Sequence, residues 1–231
     1  AKAEPRTPAR RAGLCLTGGL RAAAVDPEAL LVRPLRDVVL ERLRAAGYGT
    51  DVFAVTSAAE CRAVIAALAP LRPRSVRCLR EDLYTAAEER WLRKGPRTGW
   101  SRKAFLGQMK KVRTCQDLFE QEGAGTYSLV ARARLDARWH RFPDDVAALE
   151  APGILWVPWR ASDALAQYIN DCFAIGRPAE MAPYLGVHDA LLDRRHWPAH
   201  RAFEASSDGL DTEELWETAL LSAGVLARQH R

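Results

Sequence analysis

The sequence predicts a single α/β domain built on a mixed, mostly parallel β-sheet that is flanked by helices. Apolar strand-like runs alternate along the chain with segments of helical periodicity, which is the pattern of βαβ units. A length of 231 residues with 48% hydrophobic content is sufficient for one large packed core. We therefore expect one domain over residues 12–231, preceded by a disordered lead-in over residues 1–11.

The first third of the chain alternates strands with helices. Glycines end both the first strand and the first helix, and Ser57 is placed to cap the second helix. The segment between Arg80 and Trp100 lacks regular periodicity, so we interpret it as a long functional loop. The predicted elements before this loop are a strand over 13–19, a helix over 30–46, a strand over 51–56, a helix over 58–68 and a strand over 75–79.

The rest of the chain continues the alternation. Ser101 is placed to cap a long helix with Phe105, Met109, Val112 and Leu118 on its inner face. Pro at the first turn marks the start of another helix, and Asp-Thr-Glu-Glu has capping-box spacing before the last one. The predicted elements are a helix from 101 to about 122, strands over 127–136, 153–158 and 170–176, and helices over 178–184 and 212–223.

The strand Tyr127–Asp136 carries three charges on one face. Side chains alternate along a strand, so Arg132, Arg134 and Asp136 share a face with Val130, while the other face is apolar. Unpaired charge buried inside an α/β sheet is costly, which indicates that these groups have ionic partners at a site. The alternative is an edge strand whose charged face is solvated.

A short glycine-containing turn, Thr17-Gly18-Gly19-Leu20-Arg21, follows the first strand. Ligands of open α/β sheets bind at the carboxyl ends of the strands, and two glycines let a backbone approach a phosphate closely. The run is neither a dinucleotide-binding fingerprint nor a P-loop, so a plain tight turn is the alternative.

Asp136 ends the charged strand, where a carboxylate is placed to hold a divalent metal on a diphosphate. A salt bridge to Arg134 or Arg138 is the alternative. Asp144 and Asp145 are a further metal-ligand candidate, although capping of a short helix fits them better.

Asn170-Asp171 opens a strand, where the acid is placed to accept a proton or bind a sugar hydroxyl, with an ordinary turn as the alternative.

Charge and cysteine content narrow the classes of partner. The 34 basic residues are interleaved with 29 acidic ones, which suits a phosphate-bearing ligand at one place better than a nucleic-acid backbone, so we expect no nucleic-acid partner. No apolar run approaches the roughly 18 residues that span a bilayer.

The cysteines lack metal-site spacing. We interpret Cys15 and Cys78 as core thiols, with a Cys61–Cys78 disulfide as an open alternative.

Several of these segments, in their order and spacing, resemble a poorly characterised plant, algal, viral and bacterial group of GT-A-like glycosyltransferase domains. The match covers about residues 12–226, and each motif alone is short. The segments that carry it are 14–21, 127–136, Val157-Pro158 and 170–176, followed by Met181 and Tyr184. The group also tends to have such residues at the positions of Gln108, Cys115, Glu120 and Glu214.

The resemblance implies a Rossmann-like, GT-A-type sheet that binds a UDP- or GDP-sugar and transfers the sugar to a hydroxyl of a glycan or other acceptor. Thr17, Gly18, Gly19 and Arg21 would line the nucleotide, and Arg134 would contact the diphosphate. The resemblance also implies that Asp136 takes the place of the metal-binding acid and that Asn170 and Asp171 face the donor sugar or the acceptor. An inverting transfer needs a carboxylate to deprotonate the acceptor hydroxyl, and Asp171 is the candidate base.

One departure from the GT-A pattern affects the expected cofactor. Many GT-A enzymes have Asp-x-Asp, whereas Arg138 stands here at the position of the second acid. Mn²⁺ or Mg²⁺ bound through one carboxylate is therefore expected, and charge neutralisation by arginines without a metal stays open. The alternative function is a non-catalytic carbohydrate- or protein-binding module with the same fold.

Overall fold

The structure is a computed structural model of the chain. The residues that it describes are 10–96, 98, 101–123, 125–139, 141–158, 172–196 and 212–230.

In the described part of the chain, seven strands form one mixed sheet in the order β3-β2-β1-β4-β6-β5-β7. The pairs β1–β2, β2–β3, β1–β4 and β5–β7 are parallel, and β6 is antiparallel to both β4 and β5. The predicted mixed, mostly parallel sheet is confirmed. The strands are β1 (Arg10–Thr17), β2 (Tyr48–Ser57), β3 (Ser75–Leu79), β4 (Leu129–Arg134), β5 (Ile154–Pro158), β6 (Phe173–Gly176) and β7 (Leu226–His230).

Helices cover the sheet. The region predicted as a helix over 30–46 is helical, with π-helical segments Glu28–Val32 and Leu35–Leu40 ahead of α1. Within the described residues no helix is long and apolar enough to cross a membrane. The α-helices are α1 (Glu41–Ala45), α2 (Cys61–Leu68), α3 (Ala86–Lys94), α4 (Arg102–Gln121), α5 (Pro178–Leu185), α6 (Val187–Leu192) and α7 (Thr212–Ser222).

Each face of the sheet is covered by its own apolar cluster. In β1, Cys15 packs with Phe105 and Met109 of α4 on one face. The neighbouring Leu14 packs with Leu43 of α1 on the other face. Alternation along a strand buried on both sides produces this division.

The charged strand is central to the sheet. Leu129, Ala131 and Ala133 belong to the cluster of one face and Val130 to that of the other, so the predicted alternation is confirmed. However, β4 lies between β1 and β6, and Arg132 is only 1% exposed. The alternative of a solvated edge strand is therefore wrong: Arg132 lies inside the fold, and Arg134 lines a cleft at the end of the strand.

The segment predicted as a long loop contains a helix. Thr85 and Glu88 cap α3 reciprocally: the Glu88 amide donates to the Thr85 hydroxyl and the Thr85 amide to the Glu88 carboxylate. Trp91, fully buried, stacks on Phe105 of α4. A nearby cap also differs from prediction, because α2 begins at Cys61 after Glu60 and has no side-chain cap.

Two disulfides join elements of the fold. Cys15 of β1 is bonded to Cys115 of α4, and Cys61 of α2 to Cys78 of β3. The interpretation of Cys15 and Cys78 as core thiols is therefore wrong, and the open alternative of a Cys61–Cys78 bond is the one formed. The first bond holds α4 directly against β1.

Candidate functional site

A polar cleft of about 230 Å³ lies at the carboxyl ends of β1 and β4. Thr17 ends β1 and Arg134 ends β4, and the two residues are paired in register. The cleft is lined by Thr17, Gly18, Gly19, Arg21, Glu60, Glu81, Ala104, Gln108, Lys111, Arg132, Arg134 and Asp136. Six of the residues predicted from sequence thus lie together.

The turn after β1 has the backbone geometry that its glycines permit. Gly18 has φ of +105° and its amide donates to the Val55 carbonyl at 3.1 Å. A Cβ at Gly19 would overlap the carboxylate of Glu60, so a larger residue at this position would displace the end of the Glu60 side chain. Arg21 has φ of +44°, and its side chain extends into the cleft.

Arg132 lies beneath this turn and was not among the predicted site residues. Its Nε donates to the Thr17 hydroxyl at 2.8 Å, and Nη1 donates to the Tyr184 hydroxyl at 3.2 Å. Its guanidinium also lies 5.5 Å from the ring centroid of Trp216, a cation–π distance. The signal was present in the sequence, since alternation places Arg132 on the face of Arg134.

Arg134, Asp136 and Arg21 form an ionic cluster at the cleft. Arg134 donates from Nε to Asp136 Oδ1 at 2.8 Å and from Nη2 to Oδ2 at 2.7 Å. Arg21 Nη1 lies 3.1 Å from the same Oδ2. Burial alone would raise the pKa of Asp136, but the hydrogen bonds and charge of Arg134, with the charge of Arg21, hold that pKa below its usual value.

Two further acids line the cleft, and each has a partner. Glu81 forms an ion pair with Lys111 of α4, and Ser57 donates to Glu60 at 3.2 Å. Glu60 and Glu81 follow the carboxyl ends of β2 and β3 in sequence. The rule that ligands bind at the carboxyl ends of strands, which predicted the turn after β1, would therefore also have predicted these two acids. Lys111 becomes identifiable only once α4 is placed over the sheet.

The described geometry does not suit a divalent cation at Asp136. Both of its oxygens accept from arginine, so a cation would have to displace Arg134 and Arg21. Within the ranges that the structure describes, no three acid, histidine or cysteine side chains converge as metal ligands. Mn²⁺ or Mg²⁺ at this acid stays a prediction.

Of the remaining candidates, Asp145 lies within the described residues and has a structural role. Asp145 accepts from the Ala148 amide at 3.1 Å, which is the capping role that was favoured for it. Asn170, Asp171 and His140 lie outside the described residues.

Comparisons with known proteins bear on the fold. No protein-family model matches the chain, and no curated protein matches it. Among solved structures, it is similar to mouse xyloside xylosyltransferase 1 in its apo form, with a TM-score of 0.54 and 10% identity over 96% of this chain and 84% of that one. This likeness confirms the predicted GT-A-type architecture.

A second similar structure is the nucleoside-diphosphate-sugar pyrophosphorylase of Vibrio cholerae RC9. Its TM-score is 0.46, with 13% identity over 94% of this chain and 91% of that one.

Proposed function

We propose that the chain is a glycosyltransferase domain that binds a nucleotide-diphospho-sugar in this cleft and transfers the sugar to a hydroxyl of a glycan or other acceptor. The observation that carries the proposal is the convergence of four basic side chains beside a glycine turn at the carboxyl ends of β1 and β4. These side chains are Arg21, Lys111, Arg132 and Arg134. The GT-A-type fold supports it.

The chemistry of sugar transfer explains why such a cleft is needed. When the bond between sugar and diphosphate breaks, negative charge develops on the leaving nucleoside diphosphate, and fixed positive groups stabilise it. Guanidinium groups suit this task because they present paired donors to phosphate oxygens. In the proposed complex, Thr17 to Arg21 line the nucleotide and Arg134 contacts the diphosphate.

Asn170 and Asp171 are assigned to the two reacting groups, the donor sugar and the acceptor hydroxyl. For an inverting transfer, one carboxylate must remove the proton of the attacking hydroxyl, and Asp171 is the proposed base. Asn170 is proposed to contact the donor sugar. The resemblance to GT-A-like domains supports both roles.

A nucleotide titration tests the proposal directly. UDP, GDP and their sugars are added at millimolar concentration, with and without Mn²⁺, while the melting temperature is recorded. Ligand that binds the folded chain stabilises it by RT ln(1 + [L]/Kd), so even weak binding is measurable. Arg134→Ala should abolish the shift, and the exposed Arg33→Ala serves as the control. No shift with any nucleotide would contradict the proposal.

The second candidate is a binding module that has kept the fold without transfer. The observation that favours it is that Arg134 and Arg21 both pair with Asp136, the acid expected to bind the metal. The oxygens of that acid are therefore already engaged. This candidate predicts binding of a carbohydrate or protein without any nucleotide, and no turnover with any donor sugar.

A further inference from the structure

We propose that Arg134 and Arg21 bind the diphosphate directly, in the place that a divalent cation has in related chemistry, and that Asp136 is an internal anion which holds the two arginines until the nucleotide arrives. This inference rests on the proposed function. It concerns how the same cleft recognises its ligand.

The first support is the geometry of the Arg134–Asp136 contact. The two donated hydrogen bonds, at 2.8 and 2.7 Å, run side by side from one guanidinium edge to the two oxygens of one carboxylate. A phosphate presents a similar pair of oxygens, and arginine binds both groups in this bidentate manner. The carboxylate of Asp136 therefore occupies the position that a phosphate group requires.

The second support is the exposure of the three side chains. Arg21 is 68% exposed, so its side chain can turn from Asp136 towards a ligand at little cost. The Arg134 and Asp136 side chains are 22% and 15% exposed, and both face the cleft. An incoming anion can therefore reach the three side chains, while the Arg134–Asp136 ion pair is partly shielded from water.

The third support is the charge balance of the cleft. Arg21, Lys111, Arg132 and Arg134 bring four positive charges, and each of the three acids there already has a partner. At Asp136 or Glu81 a divalent cation would enter among these positive groups and break an existing ion pair to gain a ligand. A diphosphate instead adds negative charge where positive charge is in excess.

Direct binding has a consequence that separates it from metal binding. If Asp136 competes with the diphosphate for Arg134, Asp136→Asn removes a competing charge and should tighten binding by about 2- to 5-fold, the scale of a partly exposed ion pair. If Asp136 is a metal ligand, the same change should abolish Mn²⁺-dependent binding.

The test is a calorimetric titration of inorganic pyrophosphate, UDP and GDP, first in EDTA and then in Mn²⁺. We expect at least one of them to bind in EDTA with a Kd within about threefold of that in Mn²⁺. Arg134→Met should weaken that binding about 10- to 100-fold, as expected for lost charge-assisted hydrogen bonds, and Arg134→Lys should have an intermediate effect. Arg33→Ala is the matched control.

Circular dichroism and the melting temperature establish that each variant is folded. Binding that requires Mn²⁺ and is lost in Asp136→Asn would overturn this inference and leave the proposed function intact. The absence of binding in both buffers would overturn the two together.

Discussion

The guanidinium of Arg132 lies 5.5 Å from the centre of the Trp216 ring. Arg132, which lines the cleft, therefore packs against helix α7. Trp216 is itself fixed by stacking on Tyr184, with ring centroids 4.8 Å apart, and by donation from its Nε1 to the Tyr184 carbonyl at 2.9 Å. The C-terminal part of the fold thus supports a residue of the central strand.

Arg132→Met should destabilise the chain and weaken nucleotide binding. The change keeps much of the aliphatic volume but removes the donors to Thr17 and Tyr184, so the free energy of unfolding should fall by about 1–3 kcal/mol. Urea denaturation measures this loss. Tyr184→Phe, which removes only one acceptor of Arg132, should cost about 1 kcal/mol. Equal stability of Arg132→Met and the wild type would show that the buried network contributes nothing.

The two disulfides should contribute unequally to stability. In the chain-entropy model, a bond that closes a loop of about 100 residues stabilises by roughly 5 kcal/mol and one that closes about 15 residues by roughly 3 kcal/mol. Cys15→Ala/Cys115→Ala should therefore lower the free energy of unfolding more than Cys61→Ala/Cys78→Ala. Denaturant unfolding of the oxidised proteins compares them, and the reverse order would contradict the prediction.

Glu88 should make stability depend on pH in the acidic range. Burial raises its pKa, but the Thr85 amide, Lys110 and His188 outweigh this and leave the pKa below the ordinary value of 4.5. A carboxylate with a depressed folded pKa stabilises fully above its unfolded pKa, and that contribution is lost as pH falls through the folded value.

The difference in unfolding free energy between wild type and Glu88→Gln should thus be constant near neutral pH and shrink below about pH 4.5. Thermal unfolding across this range measures it. Glu89→Gln, at an exposed position of the same helix, is the matched control variant. A difference that grows on acidification would exclude this assignment.

Asp171→Asn should slow transfer and leave donor affinity nearly unchanged. The amide keeps the shape of the side chain but removes the basic lone pair, so the turnover rate should fall by about 10² or more if Asp171 is the base. Steady-state kinetics with a donor sugar and Kd from calorimetry separate the two effects. Lost affinity at normal turnover would make Asp171 a binding residue, and wild-type kinetics would assign the base to another group.

The strand ends were the most predictable part of the site. Alternation in β4 and the rule that ligands bind at carboxyl strand ends were enough to bring Thr17, Arg134 and Asp136 together. The same alternation includes Arg132, but burial of a whole guanidinium depends on the aromatic residues of α5 and α7. No local pattern shows that these distant residues pack against β4.

The errors have physical causes as well. Helix α3 was missed because Trp91 and Leu92 are its only large apolar residues, although the capping residues Thr85 and Glu88 were a readable signal. The Cys15–Cys115 bond was missed because it depends on the packing of α4 on β1, which brings together cysteines 100 residues apart.

The parallel pairing of β1 with β4 also governs how the chain reaches its fold. The partners Thr17 and Arg134 are far apart in sequence, so their contact closes a very long loop, and topologies with such non-local pairing fold slowly. A chain emerging from the ribosome leaves one edge of β1, with its backbone N–H and C=O groups, unpaired until β4 has been synthesised. For that interval the strand that will carry the cleft is instead an open template for aggregation.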